Sequence, residues 1–204
     1  GRVPEGDRDH LLALGLKSSH DLEHRIENVL IAGGLKTGRQ KTHITTFALD
    51  PVLNAFVDHR RRTLTGRPDD VRMAEGEADS GLMIRADSDL LRVVLENLVD
   101  NGLKYGGDEP LVELSVKRED DTVHIAVRDW GIGFEPSTRG ALFSPYRREL
   151  GRTGGVQHGT GLGLSIARNL CRKMKGDLRA HSDGPDTGAT FTILLPHSSE
   201  GLAS

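Results

Sequence analysis

Three polar residues, Asn97, Asn101 and Lys104, stand four and three positions apart in "LENLVDNGLKY". On a helix, at about 100° per residue, they fall within about 60° of one another, at a rim beside the apolar stripe. An amide oxygen suits Mg²⁺, a hard ion that takes few protein ligands together with nucleotide oxygens, and a lysine neutralises phosphate charge. The border of a solvated helix face carries the same residue types, so the trio gains meaning only from the rest of the chain.

Three further stretches supply it. In "DWGIGF", residues 129–134, Asp129 closes an apolar strand, where a carboxylate needs hydrogen bonds such as one from the exocyclic amine of a purine. Gly131 and Gly133 let the backbone turn sharply and approach a ligand, or simply end the strand. "LFSPYRRE" sets Phe143 and Tyr146 beside Arg147 and Arg148, an apolar anchor that can present a guanidinium to a terminal phosphate. "HGTGLGLS" packs Gly159, Gly161 and Gly163 before an apolar-periodic helix. Unpaired N–H groups and partial positive charge at a helix start suit an anion, and a hinge between two elements would use the same glycines.

These stretches must be held by a scaffold, and the composition permits one. The 204 residues, 36% hydrophobic and 28% charged, allow one substantial core or a domain with an appendage, and make disorder and membrane insertion poor readings. A net charge of −3 gives no electrostatic footprint for nucleic acid. The basic cluster Arg60, Arg61, Arg62, Arg67 and Arg72 reads as a solvated face. Cys171, the one cysteine, rules out an intramolecular disulfide and a multi-cysteine zinc site, and its place on an apolar stripe makes it a small buried hydrophobe. With no apolar run of spanning length and no signal-peptide pattern, the expectation is a cytoplasmic fragment without membrane contact, whose full-length protein can still be tethered. A start at Gly1 rather than methionine suggests upstream segments.

Residues 9–36 read as one long helix, with Leu22, Ile26, Val29, Leu30 and Gly33 on one side, a stripe that needs a partner. After a glycine-rich end, "THITTFAL" is β-prone. "DPVLNAFVDHRRRTL" then begins a helix with Asp50 as cap and Pro51 at the first helical position. "DDVRMAEG" and "GLMIRAD" are short strands, and Asp87 caps a helix bearing Leu91, Val94, Leu95 and Leu98. "LVELSVKRED" and "DTVHIAVRDW" alternate as a hairpin, and 131–161 reads as a long functional loop. A helix with Ala167, Leu170, Cys171 and Met174 inward and a closing hairpin, "GDLRAHS" with "GATFTILLP", follow. The pattern predicts an α+β sandwich, a mixed sheet with helices on one face, preceded by one long helix.

In this order and at these separations, "NLVDNGLKY", "DWGIGF", "LFSPYRRE" and "GTGLGLS" resemble the N box, first glycine box, phenylalanine box and second glycine box of sensor histidine kinases. The resemblance, from about residue 41 to 196, implies a Bergerat-type two-layer α/β sandwich that binds ATP and Mg²⁺. It divides the chain into residues 1–40, a dimerisation helix, and 41–204, the catalytic domain. By the same resemblance Asn101 matches the Mg²⁺ ligand, with Asn97 beside metal and phosphates. Lys104 and Tyr105 face phosphate and ribose, and Asp129 reads the adenine amine. Gly131 and Gly133 open the lid, and Arg148, with Arg147 as a possible substitute, is the phenylalanine-box arginine. Gly159, Thr160, Gly161, Leu162, Gly163 and Leu164 close over the triphosphate. Asn97 stands where hydrolytic cousins commonly carry a glutamate that activates water, and an amide cannot act as that base, although Glu96 is its neighbour.

The implied activity is an ATP-dependent histidine kinase of a two-component system, working as a homodimer and passing phosphate to a response regulator receiver domain. Gly102 replaces the usual alanine of the N box, a loosening of about 1 kcal/mol. His20 in "SSHDLEHRI" resembles a phosphoacceptor box only superficially: Arg25 stands where proline is usual, and too little helix follows for a return helix. His10, His24 and His43 are no better, so 9–36 reads as the second helix of the hairpin, and the first helix with its acceptor lies upstream or is missing. The alternatives are an ATP-binding regulatory module without histidine phosphorylation and a hydrolase of the same superfamily.

Overall fold

The computed structural model describes residues 15, 26, 30, 31, 33, 34, 42–63, 70–74, 81–107, 110–145 and 161–199. The chain divides into two compact units, Gly1–Gln40 and Lys41–Ser204. In the first unit the six described residues are helical, and Ile26 and Leu30 of the expected stripe are exposed. The rest of the 9–36 helix, with His10, His20 and His24, lies outside the described residues.

The second unit runs β1 (Thr45–Ala48), α1 (Leu49–Thr63), β2 (Val71–Met73), β3 (Met83–Ala86), α2 (Ser88–Tyr105), β4 (Val112–Glu119), β5 (Thr122–Asp129), a 3₁₀ helix (Pro136–Phe143), α3 (Gly163–Lys173), β6 (Asp177–His181) and β7 (Ala189–Pro196). Five strands form a mixed sheet in the order β2-β4-β5-β7-β6, in which only β2 and β4 run parallel. Alternation sorts its faces: Leu114, Val116, Ile125, Val127 and Ile193 are buried on the helix side, while Ser115, Lys117, Ala126 and Arg128 face outward. Against the buried face α2 lays Leu91, Val94, Leu95 and Leu98, and α3 lays Ile166, Ala167, Leu170 and Cys171. Burial pushes the Cys171 thiol up to about 12, so it packs as an inert hydrophobe. A two-layer α/β sandwich with helices on one face results.

A smaller antiparallel pair, β1 with β3, lies where the chain enters this unit. Residues beyond β7 join it: His197 bridges Ile84, and the Ser198 N–H donates to the Met83 carbonyl at 2.8 Å. Asp87 caps α2 as expected, its Oδ1 accepting from the Asp89 and Leu90 N–H groups, and its Oδ2 also accepts the His43 N–H at 2.7 Å.

Three local expectations are corrected. Asp50 is not the cap of α1: the helix begins at Leu49, and Asp50 Oδ2 accepts the Gly81 N–H, so the carboxylate ties the helix start to the turn before β3. Arg60 does not belong to a solvated face. It continues the buried line of Leu49, Leu53, Phe56 and Val57 and forms an ion pair with Asp100 of α2. The 131–161 segment is not all loop, because Pro136 starts a 3₁₀ helix whose first turn is closed by the Thr138 hydroxyl donating to the Glu135 carbonyl.

Candidate functional site

The candidate site is assembled by glycines that allow three segments to touch. On α2, Asn97 is 4% exposed, deeper than a rim position, because the start of α3 covers it. Its Nδ2 donates to the Val93 carbonyl at 2.9 Å, which turns the amide oxygen towards α3, where a Cβ added at Gly163 would stand 2.6 Å from that Oδ1. Glycine at 163 therefore brings the first turn of α3 onto the N-box helix. The N-cap residue, Leu162, has no side chain able to cap that turn, whose first helical bond is Ile166 N–H to the Leu162 carbonyl. Leu162 is buried, Leu164 half-buried, and Gly161 takes φ +66.

One turn along α2, Asn101 is half-buried and Lys104 exposed. The Lys104 ammonium leans over the Tyr105 ring at 4.8 Å from its centroid and 3.3 Å from its hydroxyl. Glu96 pairs with Arg92 at 3.8 Å along the same helix. Gly102 corrects the expectation of mere loosening: a Cβ there would meet Val112 Cγ2 at 2.6 Å and Asp129 Cβ at 3.4 Å. Its bareness lets α2 lie close on β4 and β5.

Asp129 is 6% exposed, and its Oδ1 accepts the Gly131 N–H at 3.0 Å and the Ala189 N–H at 3.2 Å. Burial raises its pKa above the usual carboxylate range, against the opposing pull of these two donors and of Arg128. Gly131 packs its backbone on the end of α2, the Ile132 N–H donating to the Tyr105 carbonyl at 3.1 Å. Gly133 takes φ +56 and leads Phe134 into the core. Tyr146, Arg147, Arg148, Gly159 and Thr160 lie outside the described residues.

Sequence reasoning missed what braces this site. Phe143 is held by Arg168 of α3, whose guanidinium lies 4.6 Å from the ring centroid. Arg168 is forked onto Asp177 at the start of β6 by bonds of 2.9 and 3.1 Å. Positions 168 and 177 are nine residues apart across a helix end, and nothing local signals their pairing. The fork draws the Asp177 pKa down to about 2 from an ordinary 3.8. A depressed acid stabilises the fold above 3.8, and that contribution is lost as pH falls towards about 2. Asp177→Asn is expected to lose about 1 kcal/mol in urea unfolding at neutral pH, and to match the wild type near pH 2.

The order of these segments on this fold matches a known group. The family model for "Histidine kinase-, DNA gyrase B-, and HSP90-like ATPase" matches residues 86–199, more than half of the chain. The chain belongs to this ATPase family. Every candidate site residue falls inside the matched stretch. Curated relatives of the chain include the sensor-like histidine kinase SenX3 of Mycobacterium tuberculosis, 30% identical over 162 residues that cover 79% of this chain and 38% of SenX3. The sensor histidine kinase WalK of Bacillus subtilis is 36% identical over 126 residues, 60% of this chain and 20% of that protein. The chain thus spans well under half of the length of these relatives. Among solved structures, Acinetobacter baumannii histidine kinase AdeS shares the fold with a TM-score of 0.69 at 18% identity, covering 98% of this chain and 88% of that one. Full-length ShkA, solved in complex with AMPPNP, gives 0.72 at 22% identity, over 98% of this chain and 41% of its own.

Proposed function

We propose that the chain is the ATP-binding catalytic part of a sensor histidine kinase, which moves the γ-phosphoryl group of ATP to a histidine outside it. The observation that carries this reading is the joining of three motifs by close backbone approach: Gly163 onto Asn97, Gly102 onto Asp129, and Gly131 onto the Tyr105 carbonyl. Asp129 then stands at one end of the α2 segment and the first turn of α3 at the other, a span suited to a nucleotide with its base at the carboxylate and its phosphates at the helix start. The Asn97 amide oxygen, turned away from Val93, and Asn101 one turn later fit Mg²⁺, which supplies charge neutralisation at the phosphates. Lys104 and Tyr105 lie on the phosphate and ribose side, and Arg148 or Arg147 meets the terminal phosphate.

Asn97 provides no carboxylate to activate water, and Glu96 is turned along α2 towards Arg92, which supports transfer to a protein side chain over hydrolysis. The exposed Ile26 and Leu30 support the reading of residues 1–40 as the second helix of a dimerisation hairpin. A receiver domain of a response regulator is the onward acceptor. No helix among the described residues is long and apolar enough to cross a membrane.

Incubation with γ-labelled ATP and Mg²⁺, alone and with a separately supplied dimerisation segment bearing a histidine, tests the reading. Acid-labile, base-stable label on the segment is the expected result. Tight ATP binding without any transfer would overturn the kinase step and leave a nucleotide-binding regulator. Asn101→Ala is expected to slow Mg²⁺-dependent transfer about 10-fold, with metal-free ADP affinity unchanged in calorimetry.

A further inference from the structure

The turn between β6 and β7, residues 182–188, is folded around one buried hydroxyl. Ser182 is 6% exposed, and its Oγ accepts the Phe134 N–H at 3.1 Å and the Gly184 N–H at 3.3 Å. Those two bonds use both lone pairs. Its single proton has two carbonyls in reach, Gly188 at 2.8 Å and Gly184 at 3.0 Å. The Gly188 carbonyl is the nearer acceptor, and the Thr187 hydroxyl, 3.3 Å from Ser182 Oγ, donates to the Gly184 carbonyl at 2.7 Å and steadies the same turn.

What Ser182 holds is the backing of the first glycine box. From this turn and the residue after it, Asp186 N–H donates to the Ile132 carbonyl at 2.8 Å, Gly188 N–H to the Gly131 carbonyl at 3.0 Å, and Ala189 N–H to Asp129 Oδ1. Gly188 has φ +75 and lies so close that an added Cβ would stand 2.2 Å from the Asp129 carbonyl. Oδ1 is thereby pinned between donors on both sides, and the carboxylate plane is set with Oδ2 as the oxygen left to meet a ligand.

We propose that Ser182 is a positioning residue for base selection: by fixing the β6–β7 turn it holds Ala189 N–H on Asp129 and so sets the preference for a purine bearing a 6-amino group. This rests on the reading of Asp129 as the base-recognising residue. The hydroxyl touches no nucleotide itself; it acts through Gly188 and Ala189.

Calorimetric titration of the full chain with ATP and with GTP, whose 6-oxo group cannot donate to a carboxylate, tests it. The wild type is expected to prefer ATP by about 100-fold. Ser182→Ala is expected to lower ATP affinity about 10-fold and leave GTP affinity nearly unchanged, so that the preference itself contracts. Thr187→Val, an exposed change that keeps shape, removes the hydroxyl that ties the Gly184 carbonyl beside Ser182 Oγ, loosens the same turn and is expected to contract the preference about 3-fold. A purely structural role would lower melting temperature with the ATP-to-GTP ratio unaltered, and that result in Ser182→Ala overturns the proposal. Should Ser182→Ala not fold, an unaltered ratio in Thr187→Val overturns it. A wild-type chain that binds both nucleotides equally removes the Asp129 reading, and this proposal with it.

Discussion

Asparagine in place of Asp129 is expected to weaken ATP binding about 100-fold and yet leave the fold at least as stable as the wild type. The two effects separate because the carboxylate's two oxygens serve different ends. Oδ1 accepts the Gly131 and Ala189 N–H groups, and an asparagine oxygen takes over both bonds. The amide nitrogen then replaces Oδ2 and meets the adenine amine donor to donor, which no rotation relieves while Oδ1 is held. Stability moves the other way. Burial raises the Asp129 pKa, so the fold favours the neutral form. A raised acid stabilises the fold below its ordinary 3.8, and that contribution is lost as pH rises through the raised value. The neutral amide escapes this loss. Melting at neutral pH is expected to be level or higher in Asp129→Asn, with the gain shrinking as pH falls through the raised value and gone below about 3.8. Lower stability at neutral pH together with unchanged ATP affinity would contradict both parts.

Gly131→Ala is expected to damage the fold heavily, by about 3–4 kcal/mol or roughly 10 °C in melting temperature. An added Cβ would lie 2.1 Å from the Tyr105 carbonyl oxygen, 2.6 Å from its carbon and 2.9 Å from Gly106 Cα. All three are backbone atoms at the end of α2, so no side-chain rotation makes room. The turn cannot retreat, because Gly188 and Asp186 N–H groups hold it from the other side. The Ile132 N–H to Tyr105 bond must break, parting the strand-end carboxylate from the N-box helix, and ATP binding should fall with stability. Gly140→Ala is the control, since a Cβ there meets nothing within 4 Å. Equal melting temperatures for the two variants would refute the close-packing argument.

What the sequence disclosed was chemistry that acts within a few residues. Asp87 ahead of an apolar-periodic run reads as a cap, the alternation of β4 and β5 shows which face is buried, and the four motifs declare themselves by order. Contacts between distant segments left no such mark. The glycine at 102 looks like a poor helix former until Val112 and Asp129 are seen against it, and the one at 163 looks like a phosphate loop until Asn97 is found beneath it. Arg60 could have been found, since it keeps step with Leu49, Leu53, Phe56 and Val57; its neighbours Arg61 and Arg62 disguised it as part of a charge run. Ser182 sits in a turn whose residue types are those of any turn, and only its burial and its four backbone partners distinguish it.

The small pair of β1 and β3 gathers both ends of the second unit, with the Thr46 and Ser198 hydroxyl oxygens 3.5 Å apart. From β3 the chain passes through Asp87, which grips His43, directly into α2. Asn101 lies fourteen residues further on, roughly 20 Å along a rod of helix. The region where the chain enters this unit is therefore joined by one stiff element to the residues proposed for metal and phosphate. The small sheet and the proposed site share a single helix, unbroken from Ser88 to Tyr105.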